Sequence, residues 1–188
     1  MPKILVSESL TLDGVFEAPA KNPAESFELA GWAEPYQSEE QNRYLASGIA
    51  SPGVLLLGRS TYETLRAGWS PRTGPVADFM KNAKKYVVST TLKKAGWNNS
   101  TLISGNVAEE VARLKQSGQD MAVLGSGALC RTLREHDLID EYSLLIFPLV
   151  LGRGKRFFDG GGQSPLKLKE ARPFSSGVVL MTYVPQRK

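Results

Sequence analysis

The run Val54-Leu55-Leu56-Leu57-Gly58-Arg59-Ser60-Thr61-Tyr62-Glu63-Thr64-Leu65 decides the architecture. Its four consecutive large apolar residues are too few for a helix and read as a strand buried on both faces, and a glycine hands that strand directly to a helical pattern. A doubly buried strand needs cover on both sides, and helices crossing between parallel strands provide it, so an α/β sheet follows. Outward from this run, period-2 and short apolar segments predict further strands at Ile4 to Leu10, Tyr86 to Ser89, Thr101 to Ile103, Ala122 to Leu124, Tyr142 to Pro148, Leu166 to Phe174 and Val178 to Val184. Helices are predicted at Ser38 to Ser47, Ser60 to Ala67, Pro75 to Lys81, Val107 to Gln116 and Ala128 to His136, several introduced by Ser, Gly or Asn. The last two strands flank Phe174-Ser175-Ser176-Gly177-Val178, a hairpin connection. The sheet is therefore expected to be mixed and to end in an antiparallel pair.

At 188 residues the chain fits one domain, residues 1–188. A single cysteine, Cys130, and a single histidine, His136, exclude an intrachain disulfide and a conventional Cys/His zinc site, so no metal is expected. Cys130 falls on the apolar side of its helix and reads as core; His136, where that helix ends, reads as a partner of the helix dipole. The net charge of +4, from 23 basic and 19 acidic residues, favours an anionic small molecule. Without a long Lys/Arg run or a basic stripe interleaved with aromatics, nucleic acid is not an expected partner. Lys81, Lys84 and Lys85, and Lys93 with Lys94, read as solvated faces. No apolar stretch approaches ~18 residues and the N-terminus lacks a signal-peptide pattern, so no membrane partner and a cytoplasmic location are expected. Leu10 to Gly31 carries Gly14, Pro19, Pro23 and Gly31 with little periodicity, the mark of a functional or mobile loop.

Three strand ends carry groups suited to an anion. Gly58 opens a helix at Arg59, Ser60 and Thr61, where free N–H groups, a guanidinium and two hydroxyls converge, although plain capping explains the hydroxyls equally well. Gly125-Ser126-Gly127 follows a strand and precedes a helix, resembling half of a dinucleotide fingerprint. Cys130 stands at the third glycine position and the acidic residue expected about 20 positions on is missing, which disfavours an ordinary Rossmann site. Ser89 and Thr90 end a third strand with hydroxyls.

Taken together the chain resembles the dihydrofolate reductase superfamily, in particular the small reductases related to the C-terminal domain of the riboflavin-biosynthesis deaminase/reductase. The resemblance rests on Ser9-Leu10-Thr11-Leu12-Asp13-Gly14, Leu57-Gly58-Arg59-Ser60-Thr61-Tyr62-Glu63, Val88-Ser89-Thr90, Gly125-Ser126-Gly127, and Leu138-Ile139-Asp140-Glu141 running to Pro148-Leu149-Val150-Leu151-Gly152-Arg153-Gly154. It implies a three-layer fold with a mixed eight-stranded sheet flanked by helices, and an NADPH-dependent reductase that passes hydride to a small, pterin- or pyrimidine-like substrate. Arg59, Ser60 and Thr61 resemble a phosphate turn, Ser89 and Thr90 the 2′-phosphate side, and Gly125, Ser126 and Gly127 the pyrophosphate turn, where a side chain on Gly127 would block backbone approach. Leu12, Asp13 and Gly14 would cover the nicotinamide.

The proton donor has no clear match. Such reductases use a carboxylate at the start of the helix after the long loop, and Glu34, Glu39 and Glu40 all lie nearby, with Asp13 a further candidate. Trp32 and Tyr36, beside Pro35, would line a substrate slot or simply pack in the core. A riboflavin-pathway ribosylaminopyrimidine reductase and a nucleotide-binding protein without turnover remain alternatives; a zinc-deaminase motif is absent. Relatives of this kind are often homodimers, and the run Tyr142 to Pro148 suits a sheet core or an interface equally.

Overall fold

The computed structural model describes residues 2–22, 26–50 and 53–187, so Pro23 of the long loop lies outside the described residues. Eight strands form one sheet in the order β4-β3-β2-β5-β1-β6-β8-β7: β1 (Ile4–Thr11), β2 (Val54–Gly58), β3 (Lys84–Val88), β4 (Ser100–Ile103), β5 (Met121–Leu124), β6 (Glu141–Phe147), β7 (Leu166–Pro173) and β8 (Val179–Pro185). The pairings of β1 through β6 are parallel, and β8 pairs antiparallel with both β6 and β7. The mixed sheet and its closing hairpin are thus as expected. In that hairpin Phe174 N–H donates to Val178 O at 2.8 Å, and Gly177 takes the positive φ the turn requires.

The helices are α1 (Glu39–Ala50), α2 (Arg59–Trp69), α3 (Pro75–Asn82), α4 (Val107–Gln116) and α5 (Gly127–Glu135). Leu55, Leu57, Tyr62, Met80 and Val87 pack together on one face of the sheet with Trp97. Val54, Leu56, Val111, Leu129 and Leu133 pack on the other with Ile4 and Val6. The four apolar residues of β2 are buried and feed both cores alternately, which is why that strand has no polar phase. A third cluster, Trp32, Leu145, Phe147, Phe174 and Leu180, continues the α1 side beneath Tyr44. Edge strand β7 is almost wholly exposed and carries Lys167, Lys169 and Arg172 with a bulge between Leu168 and Glu170, features that discourage further strand pairing.

Lys85 corrects the expectation of a solvated basic face. It is fully buried, facing the α2 and α3 side, because its ammonium donates to the carbonyls of Lys81, Ala83 and Asn98 at 3.1, 2.7 and 3.3 Å. The same nitrogen lies 4.4 Å from the centre of the Trp97 ring. Burial pushes its pKa down to about 8, and the carbonyl cage accepts the charge that remains at neutral pH. A Lys85→Met variant keeps the bulk and leaves those acceptors without their donor. It is expected to lose about 1–3 kcal/mol of stability, read as a lower denaturant midpoint in a urea titration; an unchanged midpoint would show the cage contributes nothing.

Candidate functional site

Because β1 to β6 run parallel, the ends of β2, β3 and β5, with Gly58, Ser89 and Gly125, lie on one edge of the sheet. β2 leads to β3 on one side and β5 leads to β6 on the other, so the two neighbouring strands part company there. This topological switch is where open α/β sheets leave a crevice for ligands.

The two turns at the crevice are locked together. Gly58 N–H donates to Ser126 Oγ at 2.7 Å, and that hydroxyl donates to Thr61 Oγ1 at 2.8 Å. A Cβ on Gly58 would lie 2.8 Å from Ser126 Oγ, and one on Gly125 would lie 2.9 Å from Thr61 Oγ1, so both positions are held to glycine by each other's turn. Gly125 and Ser126 both take positive φ. Neither α2 nor α5 receives a side-chain cap, which leaves the amides of their first turns available to an anion. Arg59 stands beside them with its side chain 49% exposed, in loose contact with Glu63 at 3.5 Å.

Other expected residues have structural duties. Ser89 is buried, and its Oγ accepts from Thr91 N–H and Leu92 N–H at 3.2 and 3.0 Å, shaping the turn; Thr90 is exposed beside it. Trp32 is a core residue whose indole N–H donates to Glu17 O at 2.7 Å and whose ring meets Phe147 edge-on. Tyr36 packs on the same Phe147 from a half-buried position. Gly127 faces the Phe16 ring, 3.0 Å from where a Cβ would stand, so a side chain there meets Phe16 as well as any ligand. Leu12 is 67% exposed, its N–H tied to Leu149 O at 2.8 Å.

Asp13 is a latch. Its Oδ1 accepts from Thr11 Oγ1 at 2.6 Å and Leu151 N–H at 3.1 Å, its Oδ2 accepts from Gly152 N–H at 2.9 Å, and Arg156 lies 3.4 Å away. The Thr11 hydroxyl, with those amides, lowers its pKa to about 2. A carboxylate so held stays ionised at neutral pH, with both oxygens engaged as acceptors. Glu39 is exposed, and Glu40 pairs with Arg172 of β7. Glu34 accepts from Lys21 N–H at 2.9 Å, on the surface. The inward residue of the first turn of α1 is Gln41, 2% exposed, with Oε1 buried and unpartnered among the described residues. Sequence reasoning missed Gln41, Phe16 and Glu8. Glu8 had a legible signal, since it shares the inward phase of β1 with Ile4, Val6 and Leu10.

The sheet order and this crevice define a dihydrofolate-reductase-like fold. The profile of the RibD C-terminal domain family matches residues 2–180, and the chain belongs to that family. The uncharacterized protein YyaP of Bacillus subtilis is 41% identical over 102 residues, about half of each chain. A pyrimidine reductase-like protein from Corynebacterium diphtheriae superposes with a TM-score of 0.69 at 11% identity, covering 100% of this chain and 93% of that one. Dihydrofolate reductase from Enterococcus faecalis, solved with NADP(H) and RAB-propyl, gives 0.66 at 14% identity, covering 98% and 97%.

The Asp13 latch gives a pH-dependent expectation. Its folded pKa lies below the ordinary 3.8, so its contribution is complete above about pH 4 and is lost as pH falls towards 2. Asp13→Asn should therefore cost about 1.5–3 kcal/mol at pH 7, with the gap from wild type closing below pH 4 in urea melts. A gap that stays constant down to pH 2 would mean the charge is not what holds the loop.

Proposed function

We propose that the chain is an NADPH-dependent reductase of a small pterin- or pyrimidine-like heterocycle, with the dinucleotide laid across the ends of β3, β2 and β5. The observation that carries this is the pair of uncapped helix starts locked together at the switch point by the Gly58–Ser126–Thr61 hydrogen bonds. Family membership supports the same reading. The amides of the first turns of α2 and α5 would hold phosphates, and NADPH, when bound, would supply the hydride. Ser7 and Ser9 occupy the β1 phase that faces α1, opposite the phase of Ile4 and Val6, and offer hydroxyls to a substrate. The buried residue in the first turn of α1 is the amide Gln41, where a carboxylate was expected, so on this reading the proton comes from water rather than from Glu39, Glu40 or Asp13.

Cofactor choice falls to Arg59. A 2′-phosphate calls for cationic donors, and no acidic residue stands at the end of β2 or β3 to mark a free 2′-hydroxyl. Wild type should bind NADPH more tightly than NADH, and Arg59→Ala should weaken NADPH about 10-fold while barely changing NADH, the low end for a charged hydrogen bond because the side chain is half exposed. Calorimetric titration of both nucleotides checks this; equal affinities in wild type would remove Arg59 from the 2′-phosphate role. NADPH oxidation with pterins and ribosylaminopyrimidines then separates a general from a riboflavin-pathway reductase. Binding without turnover across that panel would favour a nucleotide-binding protein.

A further inference from the structure

One buried acid has no part in the chemistry above. Met121 N–H donates to Lys3 O, so the backbone groups of alternate β1 residues, Lys3, Leu5, Ser7 and Ser9, point towards β5. The last rung of that pairing is Ser7 with Leu124. Beyond it β5 turns away at Gly125, and the sheet opens between β1 and the turn. Glu8 fills the opening: its Oε1 accepts from Ser9 N–H at 3.0 Å, and the Gly125 amide lies close enough to favour its charged form. The residue is 8% exposed, and Oε2 is buried with no partner among the described residues.

We propose that Glu8 is a positioning residue for the Gly125–Gly127 turn, that it works as the neutral acid, and that its ionisation weakens dinucleotide binding. The inference rests on the cofactor reading above. Its physical basis is that an ionised Glu8 would set an unpaired negative charge directly beneath amides meant for phosphate, in a place with little solvent to screen it. Burial is the main reason its pKa is pushed up to about 8, more than offsetting the two backbone amides. The titratable groups coupled to it on the same face are Cys130 and Arg134 of α5 and Tyr142 of β6, while Tyr86 of β3 and Tyr183 of β8 also pack on that face. Burial, then the Glu8 charge, raises the Cys130 thiol, and burial pushes Tyr142 up to about 12, so both stay neutral while Glu8 titrates. Among the described residues Arg134 spends one guanidinium nitrogen on Gly160 O, and its charge acts on Cys130 and Tyr142 rather than on Glu8.

NADPH affinity measured by calorimetry from pH 7 to pH 9.5 tests the proposal in wild type and in Glu8→Gln, whose amide keeps the shape without the charge. If only the neutral form binds, the wild-type Kd rises about 10-fold between pH 7 and pH 9, as the competent fraction falls. The Glu8→Gln ratio between the same pH values should stay within about 2-fold, and a thermal melt confirms that the variant is folded. Lys85, which burial brings into the same pH range, faces the opposite side of the sheet and is retained in the variant, so it cannot produce the difference. A wild-type Kd that is flat with pH overturns the proposal without reference to any variant, and so does a Gln variant that follows the wild-type profile. Absence of NADPH binding at every pH overturns the cofactor reading itself, a distinguishable result.

Discussion

The hydrogen bond from the Gly58 amide to the Ser126 hydroxyl, passed on to Thr61, is the contact around which the crevice is built. It ties the end of β2 to the end of β5 at the point where their helices leave for opposite faces. Ser126, a non-glycine residue in the αL region directly after Gly125, is conformationally costly, and the bonds of its hydroxyl to the neighbouring turn hold it in place. With the hydroxyls thus engaged, neither helix start is capped by its own side chain. The free amides that result are the feature an anion would use.

Three buried or half-buried charges show how the chain handles the cost of leaving water. Lys85 is caged by carbonyls, Asp13 is saturated by a hydroxyl, two amides and an arginine, and Glu8 has one backbone donor and no counter-charge among the described residues. The difference decides protonation. Asp13 is held ionised and serves as a strut between β1 and the Leu151-Gly152 segment, whereas Glu8 is driven towards neutrality beneath the Gly125–Gly127 turn. Two carboxyls five residues apart thus carry opposite protonation preferences, set entirely by what surrounds them.

The site also departs from the pattern its resemblance implies. The inward position of the first turn of α1 holds an amide, Gln41, and the nearby glutamates turn to the surface or to Arg172. An unpaired amide oxygen asks for an N–H donor rather than for a cation, so substrate recognition on that helix differs in kind from recognition by a carboxylate.

Periodicity in the sequence determined the strands and helices, the mixed sheet and the closing hairpin. Each depends on local alternation, on turn residues such as Gly177, or on the unbroken apolar run of β2, and these act within a few residues of chain. It also placed Gly58, Arg59 and Gly125 at strand ends, because strand-to-helix junctions are visible as a change of period. What tertiary structure alone decided was the state of the polar groups. Whether Lys85 is solvated, whether Ser89 bonds a ligand or its own turn, and which residue in the first turn of α1 points inward all depend on partners many residues away or on the rotation of a helix about its axis. The protonation of Asp13 and Glu8 belongs with these, since a carboxyl takes its charge from the donors and solvent that the fold brings to it, and residue type alone carries neither.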